Sequence, residues 1–450
     1  MNYLFTKIFI SFTIILCIGC TEDPPNTNGD DNNNTIPTTM PQEHIPWPSL
    51  ADSPWPMYRH DPQGTGRSQY VGPQLGEIKW TLPFSPGIVS GVGITSFAIG
   101  PDSTLYFGSS FERPEGSGAT WVFYAVAPDG SVKWTFRDTT KRTHDYMERA
   151  PLVTANTTII FSVPDGTEGD IYALRPDGTL WWKFHVDGQP SELNIGLDGT
   201  LYFIASRPYP IRDDLYALTL DGQLKWRLQA DNEFNGYGIA GIAISPDGQT
   251  LYVGGRSGYR PLYALDTNGG IRWTFFSGDS NASVHARPIV DNQGNIYCAL
   301  GGSYQAPADP SATGLYSLSP QGEVRWKKGR GGMDNEAYTI DQDGNLYIMR
   351  SVYLDGTWGE QLHALNYAGR ERWIIAATAY HTFTPLVCDV EGILFTVGAA
   401  VVAISGQDGT TIWQLPLPHN SSQSPVLGAD GTLYLGFSGG EGNKYVYAVH

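Results

Sequence analysis

Five of the nine histidines in this 450-residue chain, His144, His185, His285, His381 and His419, stand just before or at the start of one recurring kind of segment. The segment is short, apolar and built from small residues, as in "APLVTA" (150–155) and "ARPIVD" (286–291). Arg149 and Arg287 enter the same segments. Imidazoles brought together from separate segments could ligate a metal or act as bases, and with the two arginines they could form a lyase or hydrolase site. No two of these histidines have HxH or HxxxH spacing, so only the fold could assemble such a site. The same residues would serve equally well as hydrogen-bonding groups at a channel mouth.

Other chemistry is sparse. "DQDGN" places Asp341, Asp343 and Asn345 at alternate positions, as an oxygen-ligand loop for Ca²⁺ would. The distal Glu of such a loop is missing, and an Asp-Gly turn recurs at the equivalent point of other repeats, so a structural turn is expected. There is no glycine-rich phosphate loop, no GxSxG and no close carboxylate pair apart from turn aspartates. No metal site and no catalytic residue is therefore assigned.

The elements that would position these residues repeat. Tyr-Ala-Leu or a close variant, a turn, then Trp appears in "YAVAPDGSVKW" (124–134), "YALRPDGTLWW" (172–182), "YALTLDGQLKW" (216–226), "YALDTNGGIRW" (263–273) and "YSLSPQGEVRW" (316–326). "HALNYAGRERW" (363–373) and "VAISGQDGTTIW" (402–413) are weaker copies. A second motif of the type "DGTLYFIA" precedes each, centred at residues 106, 160, 202, 252, 297, 347, 394 and 434. Adding the small-residue segment gives four strands per unit, A to D, each of about five residues. Four-stranded units at this period are propeller blades. The final Tyr strand lacks its Trp strand, and "LGEIKW" (75–80) near the N-terminus has the Trp without the Tyr. The expected fold is all-β, an eight-bladed β-propeller. Its ring is closed by an outer strand at about 76–81 pairing with Lys444–Val449, because an unclosed ring would leave exposed edges.

The "YALxPDGxxxW" repeats, with "SPWPMYRHDPQGTGRS" (53–68) before the first of them, resemble the pyrroloquinoline-quinone-like propeller family over about residues 53–450. That family includes quinone-dependent alcohol dehydrogenases and non-catalytic lipoproteins, one of them a subunit of the outer-membrane β-barrel assembly machine. The dehydrogenases carry a vicinal Cys-Cys ring and a Ca²⁺ site. This chain has no adjacent cysteines and is short for that class, so neither quinone nor Ca²⁺ is expected as a cofactor.

In such a ring the A–B and C–D turns share one face and are short here. The B–C and D–A connections share the other face and are long, at 108–120, 137–148, 204–213, 229–237, 301–313 and 351–360. Loops held by a rigid scaffold carry function, so this long-loop face is the expected working surface. Its aromatics, Phe111, Tyr209, Phe234, Tyr237, Tyr259, Tyr304, Tyr353 and Trp358, would suit protein or glycan contacts. Cys298 and Cys388 fall two units apart, and no disulfide is expected between them.

The N-terminus reads as a targeting signal. Lys7 precedes an apolar run from Ile8 to Ile18 of ~11 residues, too short to span a bilayer. "LCIGC" resembles a lipobox ending at Cys20, which implies a signal peptide over 1–19 and lipidation of Cys20. Residues 20–56, rich in Asn, Thr, Pro and Asp and without Lys or Arg, read as a disordered acidic linker to a propeller at 57–450. The net charge of −17 argues against nucleic acid as a partner. The expected protein is a monomeric, exported lipoprotein of the bacterial envelope, at the outer membrane or cell surface, touching the membrane through its lipid alone. It would be a scaffold for an envelope protein or glycan. An enzyme at the channel mouth, a polysaccharide lyase or hydrolase or a quinone-dependent dehydrogenase, is the alternative.

Overall fold

The computed structural model describes residues 36–84, 94–112, 119–139, 149–208, 211–229, 241–255, 262–284, 286–302, 309, 311–329, 334–354, 357–377, 386–418, 423–438 and 444–450. Every regular element among them is a strand. The strands form eight antiparallel sheets, one per blade, and the blades make an eight-bladed propeller. Blade 2 shows the plan: A is Leu152–Val153, B Ile159–Asp165, C Glu168–Leu174 and D Leu180–Val186, paired in that order from the axis outward. Closure is as the repeat count implies. Ile78–Phe84 is the outermost strand of blade 8 and pairs antiparallel with Lys444–Val449, Trp80 opposite Ala448 and Phe84 opposite Lys444. Reciprocal backbone bonds between Glu77 and His450 extend the splice.

The repeat motif is the joint between blades. Each strand-D Trp donates its Nε1–H to a carbonyl of the next blade, in its C–D turn for seven of them and in the segment leading into strand D of blade 8 for Trp413. Trp80 reaches Pro128, Trp134 Pro176, Trp182 Leu220, Trp226 Thr267, Trp273 Pro320, Trp326 Tyr367, Trp373 Gly406 and Trp413 Pro73, at distances of 2.8 to 3.1 Å. The pairing runs once around the ring. Within a blade the same indole tilts against the strand-B aromatic, as in Tyr202–Trp226 and Tyr297–Trp326, both with centroids 5.9 Å apart.

The turn glycine has two duties. Gly178 sits at φ 83, a left-handed conformation, and a Cβ there would lie 2.7 Å from the Trp134 ring. Gly178→Ala is therefore expected to lower stability by about 1–3 kcal/mol through strain and overpacking. Gly166→Ala is the control: its φ is 65 but no atom lies within 4 Å of the added Cβ. It should show only the conformational part, about 1 kcal/mol. Urea midpoints of the two variants measure the difference.

Three of the connections expected to be long loops are continued hairpins. Strands B and C run over Leu105–Glu112 and Ala119–Val126 in blade 1, Leu201–Pro208 and Ile211–Leu218 in blade 3, and Leu346–Leu354 and Thr357–Leu365 in blade 6. Phe111, Tyr353 and Trp358 thus lie on strands, with Tyr353 opposite Trp358. Tyr209, Phe234, Tyr237, Tyr259 and Tyr304 lie outside the described residues. Cys298 and Cys388 are buried free thiols.

The folded body begins earlier than residue 57. Residues from Pro37 to His450 form one compact unit, and Trp47, Leu50, Ala51 and Trp55 are buried in it. The linker expected over 20–56 is corrected at its C-terminal end: residues 37–56 pack because their tryptophans and backbone are taken up by the inner strands.

Candidate functional site

Every inner strand A has a free edge facing the propeller axis, and an unpaired edge must be satisfied or covered. Here residues 37–72 cover it as a strap. Its carbonyls accept from successive inner strands in blade order: Trp55 from Ile99 N, Pro56 from Val153 N, Pro62 from Ile244 N, Gln63 from Val290 N and Gly66 from Cys388 N, at 2.7 to 3.0 Å. Blade 3 joins through Asn194, whose Nδ2 donates to Pro62 O at 3.0 Å. Blade 6 joins through Thr339, whose Oγ1 donates to Thr65 O at 2.7 Å. Residues 55–66 thus pass the inner strands of blades 1 to 7 in order. On either side the strap runs along the turn face. Met40 and Gln42 bond the carbonyls of Asp343 and Gln342 in the A–B turn of blade 6, and Gly72 N donates to Asp389 Oδ2.

So tight a circle needs unusual backbone. Arg59 and His60 are non-glycine residues at φ 62 and 74, and Gly64 and Gly66 have φ 73 and 65. Two consecutive bulky residues in the left-handed region persist only when their surroundings over-determine them. The Arg59 side chain does this. It donates to Gly64 O (3.3 Å), Leu386 O (3.1 Å) and Tyr338 O, linking its own loop to blades 6 and 7. Gly66 lies against the guanidinium so closely that a Cβ would be 2.9 Å away.

Asp61 holds the same loop from the other side. It accepts from Thr65 N at 2.9 Å, from Thr65 Oγ1, and meets His60 Nδ1 at 3.3 Å. Burial pushes its carboxyl up, but the contacts with His60 and Thr65 outweigh burial and hold it at about 2. A depressed folded-state value means stability that is present above the ordinary carboxylate range and lost as pH falls toward 2. Asp61→Asn is therefore expected to cost about 2 kcal/mol at pH 7, with the gap to the parent closing near pH 2. Denaturant titrations at the two pH values measure it. Arg67, buried, donates to Asp341 O at 3.2 Å and Glu43 O at 3.0 Å.

Of the residues singled out for the channel mouth, the described ones divide. Arg287 precedes strand A of blade 5 and lies on the strap. Its Nη atoms face Tyr58 O (3.5 Å) and Pro62 O (3.3 Å), and its guanidinium sits 6.0 Å from the Tyr58 ring centroid. Burial lowers its pKa to about 10. Arg149, preceding strand A of blade 2, meets Glu192 Oε1 at 3.4 Å, and Glu192 lies two residues before strand A of blade 3. His185 is different: it is on strand D of blade 2, the outermost strand, because that strand continues to Val186. Its Nδ1 meets Asp170 Oδ1 at 3.1 Å and its Nε2 meets Glu168 Oε2 at 3.6 Å. The inner ring therefore receives Arg149 and Arg287 but not His185. His144, His285, His381 and His419, with Cys20, lie outside the described residues.

"DQDGN" is a capped turn. Asp341 Oδ1 accepts from Asp343 N and Asn345 N, and Oδ2 accepts from Asn345 Nδ2 and Tyr347 Oη, at 2.7 to 2.9 Å. Asp291 makes the same set of bonds in blade 5.

Residues 167–349 and 311–446 match the family model described as outer membrane protein assembly factor BamB. No curated protein sequence matches the chain. Among solved structures, a quinohemoprotein alcohol dehydrogenase from Comamonas testosteroni is similar with a TM-score of 0.62 at 14% identity, over 88% of this chain and 80% of its own. One from Pseudomonas putida HK5 has a TM-score of 0.62 at 14% identity, over 92% and 82%. BamB from Moraxella catarrhalis has a TM-score of 0.53 at 15% identity, over 82% and 97%. At these identities the likeness is one of fold.

Proposed function

Because the chain belongs to the PQQ-like β-propeller family whose model describes the assembly factor BamB, we propose that it is a non-catalytic, lipid-anchored scaffold of the bacterial envelope that presents its long-loop face to a protein partner. The observation that carries this reading is the strap. It spends the free inner edges of the ring, and the charged groups Arg59, Asp61 and Arg67, on holding the propeller together. The opposite face, with its extended B–C hairpins, is left to meet a partner. The sequence supports anchoring through the apolar run ending at Cys20 and exclusion from quinone chemistry through the lack of adjacent cysteines.

The test uses the full-length lipoprotein, cross-linked in membranes and then captured. One envelope protein is expected in near-equal amount, and Cys20→Ser should move the chain into the soluble fraction. Recovery of the chain alone, together with dye-linked alcohol oxidation after addition of pyrroloquinoline quinone and Ca²⁺, would overturn the reading in favour of the dehydrogenase alternative.

A further inference from the structure

We propose that Arg207 and Arg227 form a carboxylate cradle on the long-loop face of blade 3, occupied within the chain by Asp187 and built to take an acidic side chain of a protein partner. This rests on the scaffold reading above and names a contact for it.

The two arginines come from different strands, B (Leu201–Pro208) and D (Leu224–Leu228), and converge from both sides on strand C. Asp214 on strand C, with no exposed side-chain surface, fixes both heads. Arg207 Nη2 donates to its Oδ2 at 2.7 Å, and Arg227 donates to the same oxygen through Nε at 2.9 Å and through Nη2. The Arg227 guanidinium also lies 5.0 Å over the Tyr216 ring. The forks are thus positioned by rigid strands and one buried anion, which is what a pre-organised site requires.

One carboxylate beneath two guanidiniums leaves a positive charge facing outward. It is met by Asp187, in the connection between blades 2 and 3. Asp187 Oδ2 sits 3.5 Å from both Arg207 Nη1 and Arg227 Nη2, and its side chain is 61% exposed. These are bonds at the limit of length, where charge-assisted bonds of good geometry are about 2.7–2.9 Å. Arg207 Nε, buried, has no acceptor among the described residues. The cradle therefore shows what it accepts, a single carboxylate, and holds that carboxylate loosely.

The test is binding of the capped peptide Ac-Asp-Asp-Asp-NH2 to the purified protein by calorimetry at low salt. Asp187→Ala removes the resident carboxylate and is expected to bind the peptide about tenfold tighter than the parent. Adding Arg207→Gln to that variant should lose the gain, and Ac-Asn-Asn-Asn-NH2 should not bind. Thermal midpoints confirm that each variant is folded, and Arg227 is left in place so that Asp214 keeps a partner. Equal affinity of Asp187→Ala and the parent, or equal binding of the Asn peptide, overturns the cradle. Tighter binding of trigalacturonate than of the Asp peptide overturns the protein partner in favour of an acidic glycan. Membrane capture stands apart: a captured partner with no peptide binding sinks the cradle and leaves the scaffold, whereas peptide binding without capture does the reverse.

Discussion

Trp326→Ala is expected to lower the stability of the propeller by about 3–5 kcal/mol, the range for deleting a buried Trp. Trp326 is 5% exposed. Its Nε1 donates to Tyr367 O in blade 6 at 3.1 Å, its ring lies against Gly369, and Tyr297 tilts onto it within blade 5. Truncation opens a cavity between two blades and leaves the Tyr367 carbonyl without this donor, so packing and hydrogen-bond losses add. Trp326→Phe keeps most of the ring and removes the donor, and should cost about 1 kcal/mol or somewhat more. Trp181→Ala provides the contrast: it is the neighbouring residue of another strand-D Trp, 38% exposed, and should stay within about 0.5 kcal/mol of the parent. Urea midpoints rank the three. Equal effects of Trp326→Ala and Trp181→Ala would mean that the Trp ring is not the joint between blades.

The ring was legible in the sequence because its joint repeats. A Trp ten residues after a Tyr, with a Gly between them, recurs at a fixed offset, and the contact of each Trp with the turn Gly of the next blade explains two of the three residues. Closure was legible for the same reason, since a Trp strand without its Tyr strand at one end matches a Tyr strand without its Trp at the other. The strap was not, because it has no period. It meets each blade through a different backbone carbonyl, and carbonyls leave no mark on residue type. A signal was present nonetheless: Trp47 and Trp55 stand in a segment otherwise composed like a disordered tether, and such segments are poor in aromatics. The hairpin of blade 6 was also readable, for Asp355-Gly356 between β-formers is a tight-turn signal. His185 was misplaced because a shift of a few residues at a strand end decides between the outer strand and the next inner one, and local sequence sets strand ends poorly.

Where the folded body starts has a measurable consequence. A chain beginning at Pro37 is expected to unfold at the same urea concentration as the full-length protein, whereas one beginning at Met57 should lose most of its stability. The second chain lacks Trp47, Leu50 and Trp55, which are 7%, 7% and 2% exposed. At about 1.5–3 kcal/mol for each large apolar side chain buried, that loss alone is on the order of 5–9 kcal/mol, set against a typical net stability of about 5–15 kcal/mol. Polar contacts go as well. Ile99 N and Val153 N lose the carbonyls of Trp55 and Pro56, Ala51 N no longer reaches Val153 O, and the Ile195 carbonyl loses Trp47 Nε1. Blades 1 and 2 would then show inner edges with no strap carbonyl paired to them, the condition that invites aggregation. Ile78–Phe84 is still present in this chain, so the ring can still be spliced, and any defect belongs to the strap and not to closure. Equal midpoints for the two chains would show that residues 37–56 are a passenger, and that the ring is held by its tryptophans and its splice alone.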